Sequence, residues 1–153
     1  MSQDANKAIV QRYFDEVIDG GNRAAMADLF LAGAVQHFPG RDLTFTPETG
    51  AAMAPSRRMK TTIHHWLAEG DLVVAHLTHE VTFPPAGEFV TQIGPVDVGG
   101  RSVHWKAMAL FRLQDGRIAE EWVNRDELSI LAQLDAVELK GRSEDLQLRS
   151  GRS

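Results

Sequence analysis

Between residues 5 and 18 the apolar positions Ile9, Val10, Tyr13, Phe14, Val17 and Ile18 recur at spacings of three and four, which predicts an amphipathic helix. Gly20-Gly21 ends it, and Asn22 is placed to cap a second short helix, RAAMADLFL, that stops at Gly33. The period then falls toward two. Residues 34–38 read as a short strand closed by Pro39-Gly40, with a long polar loop after it. Thr46-Pro47-Glu48 opens a short helical insertion that Pro55 interrupts, and residues 46–59 read as a lid rather than framework.

Two hairpins follow. The first joins residues 61–69 to 72–83 about Gly70-Asp71, so that Trp66 faces Ala75, His64 faces Leu77 and Thr62 faces His79. That face also carries Val73, Val81 and Phe83, so Trp66, His64 and His79 are expected to point inward, and His65 and His76 outward. Residues 88–93 read as a short edge strand and residues 94–100 as a loop. The second hairpin turns at Asp115-Gly116, a favoured pair for a tight turn. Counting outward sets Leu113 against Ile118, Phe111 against Glu120, Ala109 against Trp122, Ala107 against Asn124 and Trp105 against Asp126. One face of its first strand is wholly apolar (Val103, Trp105, Ala107, Ala109, Phe111, Leu113), so Trp122, Asn124 and Asp126 are expected on the inside. Leu128, Ile130, Leu131 and Leu134 support a brief last helix, and residues 140–153 lack an apolar pattern and read as a loosely held tail.

The order of elements implies an α+β domain, a curved, mostly antiparallel sheet wrapped around two to three helices. At 153 residues one domain is expected, with its core over residues 6–135. Two small helices cover a wide sheet imperfectly, which leaves a cone-shaped cavity.

Composition narrows the chemistry. The net charge of −5, with both signs mixed along the chain, offers no basic stripe for nucleic acid. Without cysteine there is no disulfide, thiolate or cysteine-held zinc chemistry. No signal-like N-terminus or run of ~18 apolar residues is present, so a cytoplasmic protein that does not enter the membrane is expected. The six histidines do not set two ligands on one strand face, and the Gly94–Gly100 glycines lack the strand-loop-helix setting of a nucleotide site, so neither metal nor cofactor is expected.

Asp126 has two readings. Beside a buried Trp105 its carboxyl would be poorly hydrated and its pKa raised toward the range of proton transfer. Alternatively the strand ends by residue 124 and Asp126 caps the helix ELSILAQL.

Three segments, NKAIVQRYFDEVIDGGN, AEGDLVVAHLTHEVTF and ALFRLQDGRIAEEWVNRDELSILAQL, resemble the SnoaL-like polyketide cyclases of the nuclear transport factor 2 superfamily over roughly residues 6–135. The resemblance implies a cone-shaped (cystatin-like) α+β fold, a homodimer through the outer sheet face and cofactor-free intramolecular aldol closure of a polyketide ring. It implies that Asp126 moves the proton, and it matches His37 to a histidine before a proline-containing loop and Tyr13 to an aromatic that reaches the cavity. The stretch THEVTFPPAGEF and the loop IGPVDVGGR depart from the family pattern, with His79 the nearest match to its central histidine. Asp126, His79 and His64 are therefore the candidate catalytic residues, and Tyr13, His37, Trp66, Trp105, Trp122 and Asn124 the candidates for binding a small hydrophobic or aromatic ligand. A hydrolase resembling the superfamily's epoxide hydrolases, and a non-catalytic binding or dimerisation module, are the alternatives. Met108, Leu110 and Val123 are expected to form the outer, dimerising face.

Overall fold

In the computed structural model the described residues are 1–52, 57–138 and 140. Ser2 caps the first helix, α1 (Gln3–Arg12), by accepting from Ala5 N at 3.1 Å. The helix widens into a π-helical segment, Tyr13–Asp19, which turns Tyr13, Phe14 and Val17 together into the interior. A 3₁₀ turn, Arg23–Ala25, leads to the one-turn helix α2 (Met26–Leu29). The second predicted helix is therefore shorter than expected, because the chain is already extended from Phe30.

A six-stranded sheet carries the rest: β1 (Phe30–Phe38), β2 (Arg41–Thr44), β3 (Arg58–Glu69), β4 (Leu72–Thr82), β7 (Ser102–Gln114) and β8 (Arg117–Arg125), in the order β2-β1-β8-β7-β4-β3. All neighbours are antiparallel except β1 and β8. The short β5 (Glu88–Thr91) and β6 (Gly94–Asp97) pair separately. The expected loops at residues 41–44 and 94–97 are thus strands. A six-residue helix, α3 (Pro47–Ala52), begins at the predicted proline, while residues 53–56 of the expected lid and residues 141–153 of the expected tail lie outside the described residues. The last helix is α4 (Glu127–Gln133). No helix among the described residues is long and apolar enough to cross a membrane.

The result is an α+β fold with a large, curved, unclosed sheet. Its inner face alternates as expected on two adjacent strands: Val73, Ala75, Leu77 and Val81 of β4, and Val103 through Leu113 at every second residue of β7, are buried. Tyr13 of the π-helical segment meets Phe30 and Phe111 edge-on at 5.0 and 5.9 Å, and Phe14 meets Phe111 at 5.8 Å, which seats the helices on this face.

Both hairpins depart from the simple count, and for the same reason. In β8 the pairs Gln114–Arg117 and Leu113–Ile118 form as predicted, but Arg112 then pairs with Glu120, leaving Ala119 as an extra residue. A β-bulge of this kind reverses the facing of everything beyond it. Phe111 therefore lies opposite Glu121, Ala109 opposite Val123 and Ala107 opposite Arg125. In β3, Trp66 meets Ala75 as expected, but His64 is the extra residue, so Ile63 rather than His64 lies opposite Leu77.

Candidate active site

The inner face of the sheet, the π-helical segment and the β5 strand enclose a cavity of about 90 Å³. Its apolar walls include Phe14, Met26, Leu77, Phe89 and Trp105, and the small side chains of Ala107 and Ala109 give it room. Its polar groups are Tyr13, Gln36, His79, Glu121 and four arginines, Arg23, Arg41, Arg57 and Arg125.

Glu121 is the one carboxylate among the described lining residues, and it is 3% exposed. The bulge at Ala119 carries it to the inside, opposite Phe111. Its Oε2 accepts from Gln36 Nε2 at 2.5 Å and from Tyr13 Oη at 3.4 Å, and Gln36 Nε2 also reaches Tyr13 Oη at 3.2 Å. Oε1 has no hydrogen-bond partner among the described residues. Burial favours the neutral acid and outweighs the two hydrogen bonds, so the carboxyl pKa is pushed up to about 7. Tyr13, buried beside that same acid, is raised well above the usual phenol range and stays protonated.

His79 forms the second polar group of the cavity. Asp19 at the end of the π-helical segment accepts from Thr61 N at 2.8 Å and from Thr61 Oγ1 at 2.7 Å. With its proton committed to Asp19, the Thr61 hydroxyl can only accept from His79 Nδ1, 2.8 Å away. That fixes the imidazole tautomer with hydrogen on Nδ1 and a lone pair on Nε2. Burial, then the charges of Arg57 and Arg125, lowers the His79 pKa to about 4, so the ring is neutral near pH 7.

Arg125 closes one side. Its Nε donates to Glu127 Oε1 at 2.6 Å, its Nη2 donates to Val90 O at 2.8 Å, and its guanidinium lies 4.5 Å from the Phe89 ring centroid.

The candidate residues separate into those the fold gathers and those it does not. Tyr13, His79 and Trp105 line the cavity. Trp66 is half-buried and packs 6.4 Å from Phe14, in the core beside the cavity rather than in its wall. Four expectations of an inward side chain are corrected, each by a bulge. Asp126 is exposed, and its Oδ1 accepts from Ser129 N at 3.1 Å as the cap of α4, which is the second of its two expected readings. Asn124 is exposed on the outer face. Trp122 stacks on His37 at 5.5 Å on the outer side, with Arg112 5.6 Å away. His64 is exposed, hydrogen-bonded to Thr78 Oγ1 at 2.8 Å. Glu120 also turns outward, where it meets His37 Nε2 at 2.8 Å and pairs with Arg112, so His37 is held outside the cavity. Val123, expected on the outer face, lines the cavity.

Sequence reasoning missed Glu121, Gln36 and the arginines. The odd spacing of Ile118 and Val123 is the signal of the β8 bulge, but Trp122 offered a more apolar choice for the inner face.

Comparison with known proteins agrees with this architecture. The SnoaL-like domain family matches over residues 10–121. The chain belongs to the SnoaL-like family. No curated protein matches it. Among solved structures it is similar to a SnoaL-like protein from Jannaschia sp. CCS1 described as a candidate polyketide cyclase, with 23% identity over 89% of this chain and 95% of that one and a TM-score of 0.66. It is similar also to IdmH of Streptomyces antibioticus, a candidate polyketide cyclase, at 24% identity over 85% and 98% with a TM-score of 0.60. An M. tuberculosis LEH-like epoxide hydrolase aligns at 14% identity over 88% and 92% with a TM-score of 0.68. At these identities the likeness is one of fold, and fold alone does not fix chemistry.

Proposed function

We propose that this SnoaL-like protein is a cofactor-independent enzyme of the polyketide-cyclase type, in which Glu121, not Asp126, moves the proton. The observation that carries this reading is a buried carboxyl, its pKa pushed up to about 7, with one oxygen that meets no donor among the described residues and faces a cavity of mixed apolar and polar walls. The ionised Glu121 takes a proton from the carbon next to a substrate carbonyl, and the electron pair passes to the carbonyl oxygen as an enolate. That carbon then attacks a second carbonyl carbon of the same molecule, and the new alkoxide takes the proton back from Glu121. Tyr13 and Gln36 hold the carboxyl in place, and His79 Nε2 accepts from a substrate hydroxyl. Holding the two carbons together in a confined cavity supplies much of the acceleration of an intramolecular step.

The same reading keeps a homodimer formed through the outer sheet face, where Leu67 and Met108 are 65% and 51% exposed. Sedimentation of the wild type as a monomer at micromolar concentration would remove that part.

The test is proton abstraction itself. Acetophenone carries an enolisable methyl group, and in deuterated water its protein-dependent deuterium uptake is read by proton NMR. Uptake that Glu121→Gln abolishes supports the reading. Uptake unchanged by Glu121→Gln removes Glu121 from the mechanism, and binding with no uptake favours a non-catalytic binding protein.

A further inference from the structure

The whole chain carries a net charge of −5, yet the charged residues lining its cavity are four arginines and one carboxylate. The four come from separate elements: Arg23 from the 3₁₀ turn, Arg41 from the start of β2, Arg57 from just before β3 and Arg125 from the end of β8. Of the four, Arg125 alone meets a carboxylate within 4.0 Å among the described residues. Arg23 Nε is buried without any hydrogen-bond partner there. Among the described residues Arg57 donates to the Met59 sulfur, at 3.2 Å, and lies 5.3 Å from the Phe89 ring centroid. Its guanidinium is close enough to Arg23, Arg125 and Arg41 that their charges, after burial itself, press its pKa down to about 10. Holding Arg23 and Arg57 together in a poorly hydrated space, with no ion pair to either among the described residues, is unfavourable unless an anion enters with them.

We propose that the cavity takes a small carboxylate-bearing substrate, its anionic head held by Arg57 and Arg23 with Arg41 at the rim, and its apolar body against Phe14, Met26 and Leu77. This assignment rests on the reading above only in placing the substrate in that cavity. It adds a substrate class and names the residues that select it. Guanidinium groups suit a planar carboxylate because they donate two parallel hydrogen bonds to it.

The experiment compares benzoate with benzamide, which share shape and differ in charge, by calorimetric titration of the intact protein. Neither has an enolisable proton, so the titration reads recognition alone. Benzoate is expected to bind tighter than benzamide by about tenfold or more, the scale of one charge-assisted hydrogen bond. Arg57→Gln should lower benzoate affinity by about tenfold and leave benzamide within about twofold. Glu121→Gln should keep or tighten benzoate binding. Equal affinity for the two probes, no measurable binding of benzoate, or a benzoate preference that survives the Arg23→Gln/Arg57→Gln double variant would overturn the proposal. Selective benzoate binding in a protein with no deuterium uptake from acetophenone would leave it standing and sink the catalytic reading. Uptake without charge preference would do the reverse.

Discussion

Glu121 and Asp126 lie five residues apart at the end of the same polypeptide run, and the fold treats them oppositely. Glu121 is enclosed beside Tyr13 and Gln36, with its pKa pushed up to about 7. Asp126 is exposed and occupied with the first turn of α4. One unpaired residue, Ala119, decides which acid goes where, because a single bulge exchanges the two faces of the strand beyond it. The pair teaches that the chemistry of this site is set by strand register more than by the identity of the acids.

The sharpest break of that comparison is to neutralise each acid in turn. Glu121→Gln is expected to reduce deuterium uptake from acetophenone by about a hundredfold or more, the usual weight of a general base. Asp126→Asn should leave uptake within about twofold, because its side chain does not border the cavity. The reverse pattern would return the catalytic role to Asp126.

Next in size is the pH dependence of stability. Glu121 titrates near 4.5 when unfolded and about 7 when folded, so the folded state holds this proton more tightly. For such a group, stability is fully present below pH 4.5 and falls as pH rises to about 7, beyond which the loss is constant. The shift corresponds to roughly 3 kcal/mol. Glu121→Gln lacks this titration, so its melting temperature relative to wild type should rise between pH 5 and 8. Parallel pH profiles for the two proteins would show that the carboxyl is not desolvated. Activity should move the other way, rising through about pH 7 as the base ionises.

Much of the frame was legible and the decisive detail was not. The two hairpin turns, the apolar face of β7, the inward His79 and the first and last helices follow from periodicity and turn chemistry. The bulges escaped because alternation is a local rule, whereas an extra residue is selected by packing on both faces. Burying Glu121 looks unfavourable until Gln36 and Tyr13 arrive from distant segments, and exposing Trp122 looks unfavourable until His37 and Arg112 stack against it. Ile63 and Trp66, three apart and both inner-facing, are the β3 counterpart that periodicity alone reads as opposed. The arginines went unread because four isolated basic residues show no pattern until the sheet curves.

The wall of the cavity offers a smaller effect. Gly40 turns β1 into β2 with φ +85, and a Cβ there would stand 2.2 Å from Thr91 O of β5, the strand that carries Phe89. Gly40→Ala should therefore cost about 2 kcal/mol from backbone strain alone and push β5 away from the cavity. Urea unfolding measures the first, and weakened benzoate binding the second. An unchanged midpoint would show that alanine meets no strain at this turn, and unchanged benzoate binding that β5 holds its place.

The smallest effect separates the two acids most cleanly. Asp126→Ala removes one hydrogen bond, from Ser129 N to Oδ1, at the start of a seven-residue helix whose Gln133 brackets the backbone of His104 at 3.0 and 2.8 Å. Loss of such a cap costs about 1 kcal/mol, or about 3 °C in melting temperature. A buried catalytic acid has the opposite signature: its removal relieves an unfavourable burial and raises stability while turnover is lost. Thermal melts of Asp126→Ala and Glu121→Gln at pH 8 should therefore shift in opposite directions. A stabilised Asp126→Ala would mean that its carboxyl is held against its preference in the working protein, as the unbulged strand would hold it.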